Sequence, residues 1–429
     1  MSTLNEPVAK TRKDEHVQSL FKWPSWFDGV REDGAKVFIE QWSPYVAALA
    51  LVIIVIALMG QKVFWGVFGG FKLWGDYFNT LIGLAPALGI SENLASPLMH
   101  KISLMNIALL IGATVAALIS KQFRINPAPK IEYVWGGVGG TLMGLGAVLA
   151  GGCNVGGFFT PLMFGSPTGW VMLAGLIAGA WIGLKIMLWG MENIEWGTEP
   201  PPQLGEMPGR RYFPCVGVGI TVLIGLWAVE WITAPDAKLA VRATIILGGF
   251  AIGFVMHRAR FCMSRVVREP LMTGEGDMTK AFMLAILLGV PVGSILLSGG
   301  VMDPYLAIPA RFWMGSLGGG FIFGIGMVLA GGCATGTLWR MGEGHMKLWT
   351  SAFFFAWSGS IFYALMKKTG LTVTDMNLDM IEESALGIQA HWPAMLGGWG
   401  PTYAVTFAIL AVWYLLVTYN ERTGRFTIF

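Results

Sequence analysis

Long apolar stretches separated by short polar ones frame this chain. Residues 45–59, 102–119 and 281–297 run nearly free of charge, and each approaches the ~20 residues, flanks included, that a helix needs to cross a bilayer. Length and charge spacing predict roughly nine to eleven such spans. They fall near 43–60, 103–120, 131–152, 169–189, 213–233, 241–257, 280–298, 312–332, 348–366 and 397–418, with a less regular stretch at 63–90. The runs are continuous rather than alternating, which excludes a transmembrane β-barrel. The pattern therefore predicts an all-α polytopic membrane protein.

One segment occurs twice. Gly139 to Gly156 and Gly319 to Gly336 lie 180 residues apart and share 11 of 18 positions, so the chain divides into two related halves. The stretch 192–211 holds Pro200, Pro201, Pro202 and Pro208 among several charges. Such a stretch neither crosses a membrane nor makes a good helix. The expected organisation is a tail at 1–41, a first membrane half at 42–191, this linker at 192–211, and a second half at 212–429. The tail is polar, without the early apolar core of a signal peptide. It is expected to be cytoplasmic, with Trp23, Trp26 and Trp42 as candidate interface anchors.

Composition narrows the function classes. Hydrophobic residues make up 54% of the 429 and charged ones 13%, with a net charge of +3, too little to suggest a nucleic-acid partner. Four cysteines in or beside apolar segments do not read as a disulfide framework. The basic loops 121–130 and 258–268 and the end around Arg422 and Arg425 are placed inside. The acidic loop 370–390, with Asp375, Asp379, Glu382 and Glu383, is placed outside. No P-loop, Rossmann glycine pattern, HExxH or CxxC is present, so no enzyme activity and no cofactor are expected.

The candidate chemistry is sulfur chemistry. Cys153 and Cys333 end the two repeated segments. Glycines four apart, such as Gly140 and Gly144 or Gly320 and Gly324, serve close helix packing, and a buried cysteine on such a face is often one more small packing residue. Against that stands the recurrence of the thiol where neighbours differ. The residues after each thiol, Asn154 to Pro161 and Ala334 to Leu338, predict a helix break and a short helix in each half. In transporters such broken helices point at a site between repeats, and a short helix's positive N-terminus favours an anion. Cys262 sits among Arg258, Arg260, Arg265 and Arg268. Cations lower a thiol pKa and attract anions, although positive-inside decoration explains the arginines equally. Arg340, Glu343 and His345 follow the second short segment as a surface loop or an ion-paired gate. Cys215 and most of the 24 methionines read as packing.

Gly253-Phe-Val-Met-His-Arg-Ala-Arg-Phe-Cys262, Val328-Leu-Ala-Gly-Gly-Cys-Ala-Thr-Gly-Thr337 with Arg340-Met-Gly-Glu-Gly344, and Ala150-Gly-Gly-Cys153 resemble the YeeE/YedE family of sulfur-compound transporters of bacterial inner membranes. The resemblance covers the chain from about residue 45. It implies inverted repeats around an hourglass-shaped path lined by three cysteines, matched here by Cys153, Cys262 and Cys333; Cys215 has no match. In the family's thiosulfate importers the half with the RxRFC and GGCATGT motifs comes first, whereas here it comes second. That order resembles the YedE branch, linked by name to selenium metabolism. A TusA-like cytoplasmic sulfur carrier is an implied partner.

The resulting expectation is a multi-pass inner-membrane importer of a small sulfur-containing anion, thiosulfate first and a selenium analogue second. Its path is assigned to Cys153, Asn154, Arg260, Cys262, Cys333, Thr335, Arg340 and Glu343. Thiol S–H groups are weak donors and sulfur a weak acceptor, so several in series would bind an anion without trapping it. A membrane thiol oxidoreductase pairing Cys153 with Cys333 is the rival of another class, and it needs Cα atoms within about 7 Å. A soft-metal transporter would instead predict clustered Met and Cys ligands, against the scatter of methionines.

Overall fold

In hydrocarbon every backbone amide must be paired within its own segment, so the apolar runs become helices. The computed structural model describes residues 38–91, 93–201, 209–371 and 383–428; Trp23, Trp26, Asp375, Asp379 and Glu382 lie outside them. Among the described residues, nine helical stretches are long and apolar enough to span a membrane. The shorter apolar helix Pro44–Gly60 joins them, and the one pair of strands is the two-residue hairpin Glu383–Ser384 and Gly387–Ile388. The protein is an all-α polytopic membrane protein.

In the first part of the chain α1 is Pro44–Gly60, α2 Phe68–Leu81, α3 Lys101–Ile119 and α4 Lys130–Ala150. After Cys153 a π-helical turn, Asn154–Phe159, runs into α5, Thr160–Met163, and then come α6, Thr168–Asn193, and α7, Phe213–Thr233. The second part repeats this series as α8, Ala237–Arg258, α9, Met263–Met272, α10, Asp277–Ser298, and α11, Met314–Ala330. It closes with α12, Ala334–Glu343, α13, Met346–Lys368, and α14, Trp399–Thr423.

Packing obeys the same correspondence. Helix α4 lies against α13 as α11 lies against α6, α3 against α8 as α10 against α1, and α2 against α13 as α9 against α6. The broken segments agree, α12 against α3 and α5 against α10. Helices α4 and α11 pack closely against each other. A Cβ at Gly146 would sit 2.6 Å from the Phe323 amide nitrogen, and one at Gly326 would sit 2.7 Å from the Gly139 carbonyl. Only glycine allows that approach, and in lipid it is the source of helix–helix contact.

Shared ends define the two faces. The Arg210 guanidinium donates to the Lys121 carbonyl at 3.0 Å, and the Trp42 amide donates to the Arg258 carbonyl at 3.0 Å. Residue 42, the loop 121–130, the end of α8 and the start of α7 therefore share a basic face. Helices α4 and α11 run in opposite senses relative to it, so the halves are inverted. Two sequence expectations change. The stretch 258–268 is not a surface loop: Arg258 is buried and α9 begins at Met263 inside the protein. Its arginines serve the interior as well as the basic face. Cys215 is exposed on the peripheral helix α7 rather than packed, because that helix buries only Gly217, Ile224 and Ala228.

Candidate functional site

Each repeated segment must stop its helix abruptly to present the cysteine. The stop is Gly151 in one half and Gly331 in the other, at φ 77° and 84°, a left-handed conformation that glycine adopts freely. Two residues later come Cys153 and Cys333, both in extended backbone and fully buried. From there the halves diverge.

In the second half the Cys333 thiol caps α12, accepting from the Gly336 amide at 3.4 Å. Cys262 stands at the N-cap of α9, and its Sγ lies 3.8 Å from that of Cys333. Two short helices from different parts of the chain thus meet thiol to thiol. Their meeting depends on Gly336, where a Cβ would lie 2.5 Å from the Cys262 sulfur. Thr335 and Thr337 are buried beside them, and neither hydroxyl has a partner. Such bare hydroxyls are costly in a sealed core and are natural ligands in a path. The Arg340 guanidinium donates to the Gly331 carbonyl at 2.8 Å, and Arg268 lies within electrostatic reach of both Cys262 and Arg340.

Toward the basic face a charge cluster gathers around the buried Glu343 carboxylate. The Arg260 guanidinium meets the Glu343 carboxylate at 2.6 Å and donates to Gln122 Oε1 at 3.2 Å. His345 and His257 stand 3.4 and 3.8 Å from the same carboxylate. Glu343 is the C-terminal residue of α12 and Arg260 precedes Cys262, the N-cap of α9, by two residues, so the cluster ties together the two helices whose N-termini carry the thiols.

In the first half Gly66 occupies the place that Cys262 takes in the second. A Cβ on Gly156, the counterpart of Gly336, would meet nothing nearer than the Gly66 Cα at 3.9 Å. The space stays open as a cavity of about 380 Å³ with Cys153 in its wall. Lys72 and Arg311 line it together with Tyr305, Tyr363 and Gln389. The Lys72 ammonium pairs with Asp76 at 2.7 Å, and Asp76 accepts from Ser360 at 2.5 Å. Between the halves, the buried Asn154 amide nitrogen approaches the Met327 sulfur at 3.5 Å while its oxygen has no partner.

The structure therefore brings Cys262 and Cys333 together and Arg260 and Glu343 together, and sets Cys153 and Asn154 in the other half. Cys333 has Cys262, not Cys153, as its thiol neighbour. Among the described residues no group of three His, Cys, Asp or Glu side chains is arranged to hold a metal. Sequence reasoning missed Lys72, Arg311, Gly66 and Gly336. A lysine four residues from an aspartate on an apolar helix was the available signal for Lys72; no signal pointed to Gly66.

The chain is similar to known transport proteins. The family model described as sulphur transport matches residues 9–182 and 258–427. A probable transporter, YedE of Escherichia coli, is 30% identical over 413 residues, covering 90% of this chain and 94% of the relative. The thiosulfate transporter TsuA of Spirochaeta thermophila is 28% identical over 185 residues, 42% of this chain and 54% of the relative. TsuA of Escherichia coli is 39% identical over 109 residues, 25% of this chain and 30% of the relative.

Proposed function

Because this chain belongs to the sulphur transport family, and so is a multi-pass inner-membrane transporter of sulfur-containing anions rather than an enzyme, we propose that its substrate is thiosulfate and that thiols line the path. The carrying observation is the contact of Cys262 with Cys333 at 3.8 Å, with Cys153 in the wall of an open cavity on the opposite side. On this reading the basic face is cytoplasmic, as the positive-inside rule requires. The anion enters the external cavity and meets Lys72, Arg311 and Cys153. It then passes Asn154 to reach Cys262, Cys333 and Thr335.

A dianion must keep countercharge or polar donors along such a route. The external cavity supplies two cations. Near the thiol pair, Arg340, Arg268 and the Gly336 amide supply the rest. Thiols add weak, soft contacts to the terminal sulfur. The cluster of Arg260, Glu343 and the two histidines closes the cytoplasmic end and must open for release. A TusA-like carrier that accepts the anion at that face remains part of the proposal.

The helix correspondence also suggests where the halves divide. We propose the division at residues 234–236, with the linker 192–211 a loop within the first half, because α7 matches α14 as the last helix of its series.

Uptake of labelled thiosulfate by proteoliposomes, with sulfite, selenite and Cu(I) as competitors, tests the substrate. Uptake that only thiosulfate competes supports the reading. Preferential uptake of a selenium oxyanion would shift the substrate, and absence of anion uptake would refute both.

A further inference from the structure

The two halves differ in one chemical respect. Where the first half places Gly66 against Gly156, the second places a thiol, and that thiol faces another. Cys153 keeps its side chain free of any capping role and lines the cavity. A facing dithiol thus exists only on the cytoplasmic side.

We infer that Cys262 and Cys333 form a reversible disulfide that locks the transporter shut under oxidising conditions. A disulfide needs its sulfurs at about 2.05 Å, so the 3.8 Å separation must shorten by nearly 2 Å. Rotation about the two Cα–Cβ bonds is the movement the inference asks of these side chains. The missing Cβ of Gly336 leaves room beside the Cys262 sulfur. The attacking species is a thiolate. The Gly336 amide already donates to the Cys333 sulfur at 3.4 Å.

The oxidant is a peroxide. One thiolate attacks it to give a sulfenic acid and release water. The second thiol displaces the hydroxyl as a further water, so two thiols and one hydrogen peroxide yield one disulfide and two waters. A dithiol such as dithiothreitol reverses the step by exchange.

The lock arises from the elements that the bond joins. Cys262 opens α9 and Cys333 opens α12, and α12 also packs on α3 and α13. A covalent tie between the two N-termini removes the gap between them, and with it the space for an anion. The disulfide itself rests on geometry alone; its effect on uptake rests on the proposed thiol path.

The test uses the full-length Cys215→Ser protein, which lacks the exposed lipid-facing thiol, in proteoliposomes. After hydrogen peroxide treatment, peptide mass spectrometry is expected to find Cys262 linked to Cys333 with a loss of two hydrogens. Thiosulfate uptake should fall at least tenfold and return with dithiothreitol. Absence of that linked peptide, or a link with uptake unchanged, would overturn the inference. A reduced protein that moves no thiosulfate yet still forms the link would sink the transport reading and leave the disulfide standing.

Discussion

Gly336→Ala and Gly156→Ala are the same substitution at matched positions of the two halves, and they should differ sharply. At position 336 the added methyl would lie 2.5 Å from the Cys262 sulfur and 3.4 Å from the Cys333 sulfur. Ordinary heavy-atom contact is about 3.5–4.0 Å, so the Cys262 sulfur must move by about 1 Å or more within a buried site. Overpacking of this kind costs about 1–3 kcal/mol. If all of that falls on the arrangement the passing anion meets, uptake drops about fivefold to a hundredfold or more. At position 156 the nearest atom is the Gly66 Cα at 3.9 Å, an ordinary contact, and uptake should stay within about twofold of the parent by the same reasoning. Initial rates of thiosulfate uptake in proteoliposomes, at matched protein content and with monodispersity checked by size exclusion, give the comparison. Equal losses in both variants, or normal uptake by Gly336→Ala, would refute the view that the anion passes the thiol contact.

Other expectations rest on the same geometry. Lys72→Gln removes one of two cations lining the external cavity and should raise the KM for thiosulfate about fivefold, roughly 1 kcal/mol, with Vmax little changed; an unchanged KM at low salt contradicts this. Glu343→Ala leaves Arg260 and two histidines without their shared carboxylate, so a membrane-impermeant maleimide applied from the cytoplasmic side should label Cys262 faster than in the parent. His100 accepts the Ser103 amide through Nδ1 at 3.2 Å, and burial, then the Lys72 charge, hold its pKa below the ordinary 6.5. Its neutral form is favoured in the folded protein, so the stability it contributes is full above pH 6.5 and is lost as pH falls below. Thermal unfolding in detergent at pH 7.5 and 5.0 should show a smaller acid-induced decrease for His100→Asn, which keeps a capping oxygen, than for the parent.

The fold was legible because the bilayer writes it plainly. Apolar run length predicts spans, and the repeated glycine segment predicts a helix break and a short helix after each thiol; both appear where expected. The cysteines were legible for a different reason, since Cys153 and Cys333 recur at one register while neighbours such as Asn154 and Ala334 change. The approach of Cys262 to Cys333 was not, because 71 residues separate them and only the docking of α9 against α12 joins them. Arg258 misled for a related reason: next to an apolar run a basic residue looks like a surface anchor, yet it is 2% exposed. Its guanidinium donates to the Glu40 carbonyl, a partner supplied by chain that precedes the first span. The openness of the cavity rests on Gly66, and an isolated glycine carries no mark of what it leaves empty.

The central claim is that three thiols line the passage. Its most direct test is thiosulfate uptake by proteoliposomes holding the parent, Cys153→Ala, Cys262→Ala, Cys333→Ala or Cys215→Ala, each verified as folded. Loss of uptake in the first three variants with Cys215→Ala unaffected is the predicted result. Normal transport by any of the first three would contradict it and leave that thiol as a packing residue.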